Sequence, residues 1–236
     1  MHDSPRRRAF LGRLAAGTAA TLAAGLSVPV SADAQSIARP TPPDGQRDIP
    51  RYPQDAWFDQ LPGKHRLFLD ATNADEAAGA LGFAWNFMRT SQTGYNLKDA
   101  DQAVVICLRH AATGFAFSND VWHRYDYFRK NKYKHPETEK KVRGGNVFRP
   151  GSTDPKSMDD GFTWDGLAKR GVHFAICGAA TRGLATILAG KGASRDSVET
   201  FVDELFASAP ANAHLMASGI LAAQRAGEYG YTVIKG

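Results

Sequence analysis

The chain has 236 residues, 43% of them hydrophobic and 22% charged, with 29 Lys and Arg against 24 Asp and Glu, a formal net charge of +5. Thirteen Phe, four Trp and seven Tyr spread along it exclude disorder throughout, and 23 Gly without a period exclude a collagen-like chain. Two cysteines are too few for a disulfide scaffold, and the length suits one ordinary domain with additions.

The first 34 residues read as an address. Arg6-Arg7-Arg8-Ala9-Phe10-Leu11 precedes a modestly apolar stretch from Leu14 to Val30, which ends in Ala32-Asp33-Ala34. A charged start, an apolar middle and a small-x-small end form a cleavable signal. The paired arginines followed by x-Phe-Leu resemble the twin-arginine export signal of bacteria. That resemblance implies delivery of a folded protein to the periplasm, an oxidising compartment. Four arginines and two aspartates fall in this segment, so the remainder carries 25 basic and 22 acidic residues.

Residues 35–56 are rich in Pro, Asp and Gln and read as an irregular arm, with Trp57, Phe58 and Leu61 anchoring its end. The domain proper is expected over 57–236. Lys64–Asp70 reads as a first strand. Asn73 or Thr72 caps the next helix, about Ala74 to Met88, whose apolar residues Ala77, Leu81, Trp85 and Met88 recur at three and four. Ala103–Arg109 is a continuous apolar run, the pattern of a central strand covered on both faces. A short aromatic helix is expected from Asn119 to Phe128. Residues 129–160 form a Lys-, Gly-, Pro- and Asp-rich insertion, a candidate lid, assembly arm or ligand edge. Seven of the basic residues lie between Arg129 and Arg143 with two Glu. One such run is no nucleic-acid footprint across a face.

A helix near Trp164–Arg170 leads into a strand over Val172–Cys177, followed at once by a helix from about Ala179 to Leu188. Asp196–Ser208 is a further helix, Ala213–Met216 a short strand, Ile220–Ala226 a helix and Tyr229–Ile234 the last strand. Strands alternating with helices imply a single three-layer α/β domain, with a mostly parallel five-stranded sheet and helices on both faces.

In open α/β sheets ligands sit beyond the carboxyl ends of the strands. Three such ends carry chemistry: Asp70-Ala71-Thr72-Asn73, Arg109-His110 and Cys177-Gly178. Cys177 stands where strand gives way to helix, facing unpaired N–H groups that favour a thiolate. Arg182, a turn onward, adds positive charge if it folds back, and Gly178 allows close backbone approach and access to the sulfur. Asn73 joins Cys177, Gly178 and Arg182 as a ligand-binding candidate, and Asp70 is a lone acid or base. The alternative for Cys177 is a small buried hydrophobe. Cys107, inside the apolar strand, reads as core, and a Cys107–Cys177 disulfide is not expected. No C-x-x-C, C-x-x-C-H or H-E-x-x-H spacing occurs, nor a G-x-G-x-x-G, Walker or G-x-S-x-G motif. No metal ligand set is named by these spacings, and the cofactor is unknown.

The segment Gly171-Val172-His173-Phe174-Ala175-Ile176-Cys177-Gly178-Ala179-Ala180-Thr181-Arg182 resembles the cysteine segment of the DsrE/DsrF-like family. The order of elements around it over about residues 64–234 resembles that family too. So do Arg109-His110, then Phe115-Ala116-Phe117 before Trp122. The resemblance implies a compact, oligomeric α/β protein carrying sulfur as a persulfide on Cys177, with His110 and Arg109 orienting the charged group. It implies a sulfur donor or acceptor protein, or a small thiol or anionic ligand, as partner. It favours a carrier or binding role over a classical enzyme. Two further readings stand beside it: a module binding haem, a metal or a small ligand through Cys177 or His110, and a non-catalytic oligomeric interaction protein. Neither nucleic acid nor membrane insertion is expected.

Overall fold

The structure is a computed structural model and describes residues 50–130, 144–152 and 161–236. The segment expected to be an export signal, most of the expected arm and most of the basic run lie outside the described residues.

Five strands form one sheet: β1 (His65–Ala71), β2 (Gln102–Leu108), β3 (His173–Cys177), β4 (Ala213–Met216) and β5 (Thr232–Lys235). Their order is β4-β3-β2-β1-β5 and every neighbouring pair is parallel. All seven residues of β2 are buried, as the unbroken apolar run requires of a strand covered on both faces.

The helices are α1 (Trp57–Gln60), α2 (Ala74–Tyr95), α3 (Asn119–Arg124), α4 (Asp126–Lys130), α5 (Trp164–Lys169), α6 (Gly178–Ala189), α7 (Arg195–Ala207) and α8 (Gly219–Glu228). Parallel neighbours need crossover connections, and these put helices on both faces. On one face α2 packs against β1 and β2, and α6 carries α7. Across the other runs α8, which touches all five strands on its way from edge strand β4 to edge strand β5. There Ala222 and Ala226 of α8 join Trp57, Phe58, Phe68, Val105, Cys107, Ala175 and Tyr231 in one apolar cluster. The expected anchors Trp57, Phe58 and Leu61 are all buried.

Expected boundaries moved, among them the start of the last strand, from Tyr229, which closes α8, to Thr232. α2 runs seven residues past Met88, because Thr90 and Thr93 return their hydroxyls to helix carbonyls and Asn96 closes the helix at φ 55°. The aromatic helix breaks at Tyr125, giving α3 and α4. Between β2 and the aromatic helix, residues His110–Ala116 form a 3-10 helix.

That 3-10 helix is held by partners from elsewhere, as its tight geometry demands. Trp122 Nε1 donates to Gly114 O at 2.9 Å and Trp164 Nε1 to Phe115 O at 3.0 Å. Asn146 Nδ2 donates to Phe115 O and Phe117 O. Buried Arg149 donates from Nη1 to Ala116 O and Ser208 O, and from Nε and Nη2 to Asp165. Residues 145–149 of the insertion are therefore built into the core.

Removing the Arg149 guanidinium strands two buried carbonyls and a carboxylate. Arg149→Ala is expected to lower the unfolding free energy by about 3 kcal/mol in urea titration. A loss below about 1 kcal/mol would show that the insertion is held by other contacts.

Candidate functional site

Four features meet at the carboxyl edge of the sheet. After β1, Asn73 caps α2 and accepts from the N–H groups of Asp75 and Glu76 at 3.0 Å. After β3, Cys177 caps α6, its Sγ accepting from Ala180 N at 3.4 Å. After β4, Ser218 caps α8 and accepts from Leu221 N at 3.3 Å. After β2 comes Arg109, bound to Asp70 through Nε and Nη2, both at 2.7 Å. Three helix N-termini opening from one sheet edge make it favourable for negative charge.

Two glycines allow this convergence. A Cβ on Gly178 would stand 2.5 Å from Met216 O, so α6 starts hard against the end of β4. A Cβ on Gly219 would stand 2.3 Å from Arg109 Cβ, so α8 starts on the arginine stem. Gly178 thus serves the approach of two backbones.

The two cysteines separate clearly. Cys107 is fully buried, with Sγ 3.7 Å from Gly219 O. Burial, with Asp70 and Cys177 nearby, pushes its thiol well above the ordinary range. Cys177 is 7% exposed and stands at the helix terminus. Both thiols are free. Cys107 is in register with Ala175, so Cys177 lies one strand over and two residues along. Strand spacing of about 4.8 Å and a rise of about 3.3 Å per residue then separate the Cα atoms by about 8 Å. That exceeds the roughly 7 Å a disulfide spans.

The other expected residues take different places. Arg109 is committed to Asp70, which raises its pKa by hydrogen bonding. His110 is exposed at φ 53°, a conformation few non-glycine residues adopt, and bonds to neither Arg109 nor Cys177. Arg182 does not fold back to the thiol, because Glu199 holds it from both Nε and Nη2 at 3.0 Å. The side-chain oxygen of Asn73 is spent on its own helix. Sequence reading missed the Asp70–Arg109 pair and the role of Gly219. The small-residue run Ala217-Ser218-Gly219 is the one signal that marks such a close approach.

A cavity of about 130 Å³ opens beside Met216, the register partner of Cys177, walled by Tyr52, Asp55, Leu221 and Arg225. Asp55 and Arg225 face each other at 3.1 Å, so the wall carries no unpaired charge there. Among the described residues no three His, Cys, Asp or Glu converge as metal ligands, and no helix is long and apolar enough to cross a membrane. Comparison with family models, with curated proteins and with solved structures gives no match for this chain.

Glu76 ties the edge to β5. Burial alone would raise its carboxyl, but Lys235 at 2.7 Å and the N–H and hydroxyl of Thr72 outweigh this and hold it at about 2, against an ordinary 4.5. A depressed folded value stabilises fully above pH 4.5, and the contribution is lost as pH falls toward 2. Glu76→Gln is expected to flatten the acid-unfolding curve between pH 4.5 and 2. An unchanged slope in that window, read by circular dichroism, would place the acid-labile group elsewhere.

Proposed function

We propose that the protein is an exported thiol carrier that holds a sulfane sulfur on Cys177. One observation carries the reading: Cys177 Sγ caps α6 at the carboxyl edge of the sheet and keeps a 7% opening to solvent there, whereas Cys107 is sealed in the core. The resemblance of residues 171–182 to the DsrE/DsrF-like cysteine segment, and of the first 34 residues to a twin-arginine signal, supports the chemistry and the periplasmic setting.

In the transfer, the Cys177 thiolate attacks the outer sulfur of a donor persulfide. A bond forms between Cys177 and that sulfur, the donor's S–S bond breaks, and the donor leaves as a thiolate. The reverse attack by an acceptor thiol unloads the carrier. No outside oxidant or reductant enters. The neighbouring N–H of Ala180 stands against the sulfur. Arg109, neutralised by Asp70, acts as a brace for Gly219 and the start of α8. This is carriage by a binding protein, and the donor and acceptor are thiol-bearing partners.

Incubation of the reduced protein with an inorganic polysulfide, followed by intact-mass measurement, tests the reading. A gain of about 32 Da that reductant removes is expected for the native chain and for Cys107→Ser, and no gain for Cys177→Ser. An unmodified native chain, or a gain that survives in Cys177→Ser, would overturn it.

A further inference from the structure

On the face of the sheet crossed by α8, His173 opens β3 and His214 lies second in β4. His173 Nδ1 and His214 Nε2 are 2.9 Å apart, and the rings lie within 10° of a common plane with centroids 5.2 Å apart. The centroid separation exceeds the nitrogen separation by only the two ring radii, so the hydrogen bond runs in the plane of both rings. Trp57 covers the pair. Its indole stacks on His214 at 3.8 Å and 4°, and lies parallel to His173 at 6.1 Å and 8°.

Trp57 belongs to a short segment laid over the sheet. Phe58 O accepts from Arg66 Nη1 at 2.6 Å and from the Tyr231 hydroxyl at 2.9 Å, and Leu61 O accepts from Arg66 Nη2 at 3.3 Å. Beneath it lie Phe68 and Tyr231. Trp57 Nε1 is buried and finds no hydrogen-bond partner among the described residues. That donor regains water whenever the segment lifts, which leaves the hold on the sheet dependent on the stack and the carbonyl bonds.

We propose that Trp57–Leu61 is an acid-released clasp: protonation of the His173–His214 pair lifts the segment from the sheet while the five-stranded core stays folded. Two neutral imidazoles suit the closed geometry, one donating and one accepting. A first proton is held in the N–H···N bond under the indole face, which tolerates a cation, whereas a second sets two like charges together and removes the acceptor, so that the bond fails. The charged groups facing the clasp are Asp55 and Asp59 on its own segment, Arg66 on β1, and Arg225 and Glu228 on α8. They do not act on the rings: burial lowers His173, and burial followed by the charge of His173 lowers His214 to about 4 from 6.5.

The sign follows by linkage. In the open form the rings meet water and charge below 6.5, while in the closed form His214 stays neutral down to about 4. Opening is therefore favoured as pH falls from 6.5 toward 4 and is indifferent to pH above 6.5. For His214 alone the opening constant rises about 20-fold between pH 7 and pH 5, and His173 adds to this.

The buried indole N–H of Trp57 reports the opening directly, because it exchanges with solvent only when the ring lifts. The indole N–H groups of Trp122 and Trp164, bonded to Gly114 O and Phe115 O, serve as core references. Hydrogen exchange followed by NMR, corrected for the intrinsic rate at each pH, is expected to show Trp57 protection falling at least about 20-fold from pH 7 to pH 5 while the two references hold. His214→Phe keeps a ring for the indole to stack on and is expected to remove most of that fall, whereas His173→Phe removes only the smaller part that His173 adds. Equal Trp57 protection at both pH values in the native chain would overturn the proposal. So would a fall shared by Trp122 and Trp164, or a full fall in both variants.

Discussion

Everything in this fold answers to β2. A strand with seven buried residues and a parallel neighbour on each side needs an apolar cover above and below. The chain meets that need by winding α2, α5 and α6 over one face and returning through α8 across the other. Because every strand points the same way, every strand also ends at the same edge. The convergence of Asn73, Arg109, Cys177 and Ser218 is a by-product of covering β2.

That convergence has an electrostatic character the individual residues lack. Arg109, the one guanidinium at the edge, is cancelled by Asp70. The helix-start N–H groups there are also engaged, by Asn73, Cys177 and Ser218. The cavity beside Met216 is lined by the Asp55–Arg225 ion pair, by Tyr52 and Gln54, and by apolar side chains. The edge is suited to recognising shape and soft charge.

Periodicity made much of the fold legible. The strand Ala213–Met216 stands as read, the N-cap of α2 is Asn73, one of the two residues read for it, and the parallel sheet follows from the alternation of elements. The misreadings have a common cause. The last two turns of α2 are Thr- and Gln-rich, and the 3-10 helix His110–Ala116 is held by Trp122, Asn146 and Trp164, partners up to 49 residues away. Local pattern carries no trace of such support. The same limit applies at the edge. Cys177 was readable from its place between strand and helix, but the capture of Arg182 by Glu199 depends on how α6 and α7 lie together, and the stacking of Trp57 on His214 joins the start of the domain to its far edge strand.

The register of the two cysteines reaches further than the disulfide it forbids. Offset by two residues on neighbouring strands, they are too far apart for one to answer the other. A sulfur atom loaded on Cys177 has no internal nucleophile to claim it, and an oxidised Cys177 has no resolving partner within the chain. The lifetime of either species is set by collision with another molecule. On the proposed carrier reading, kinetic isolation of this kind would make the chain a reservoir that empties only on encounter.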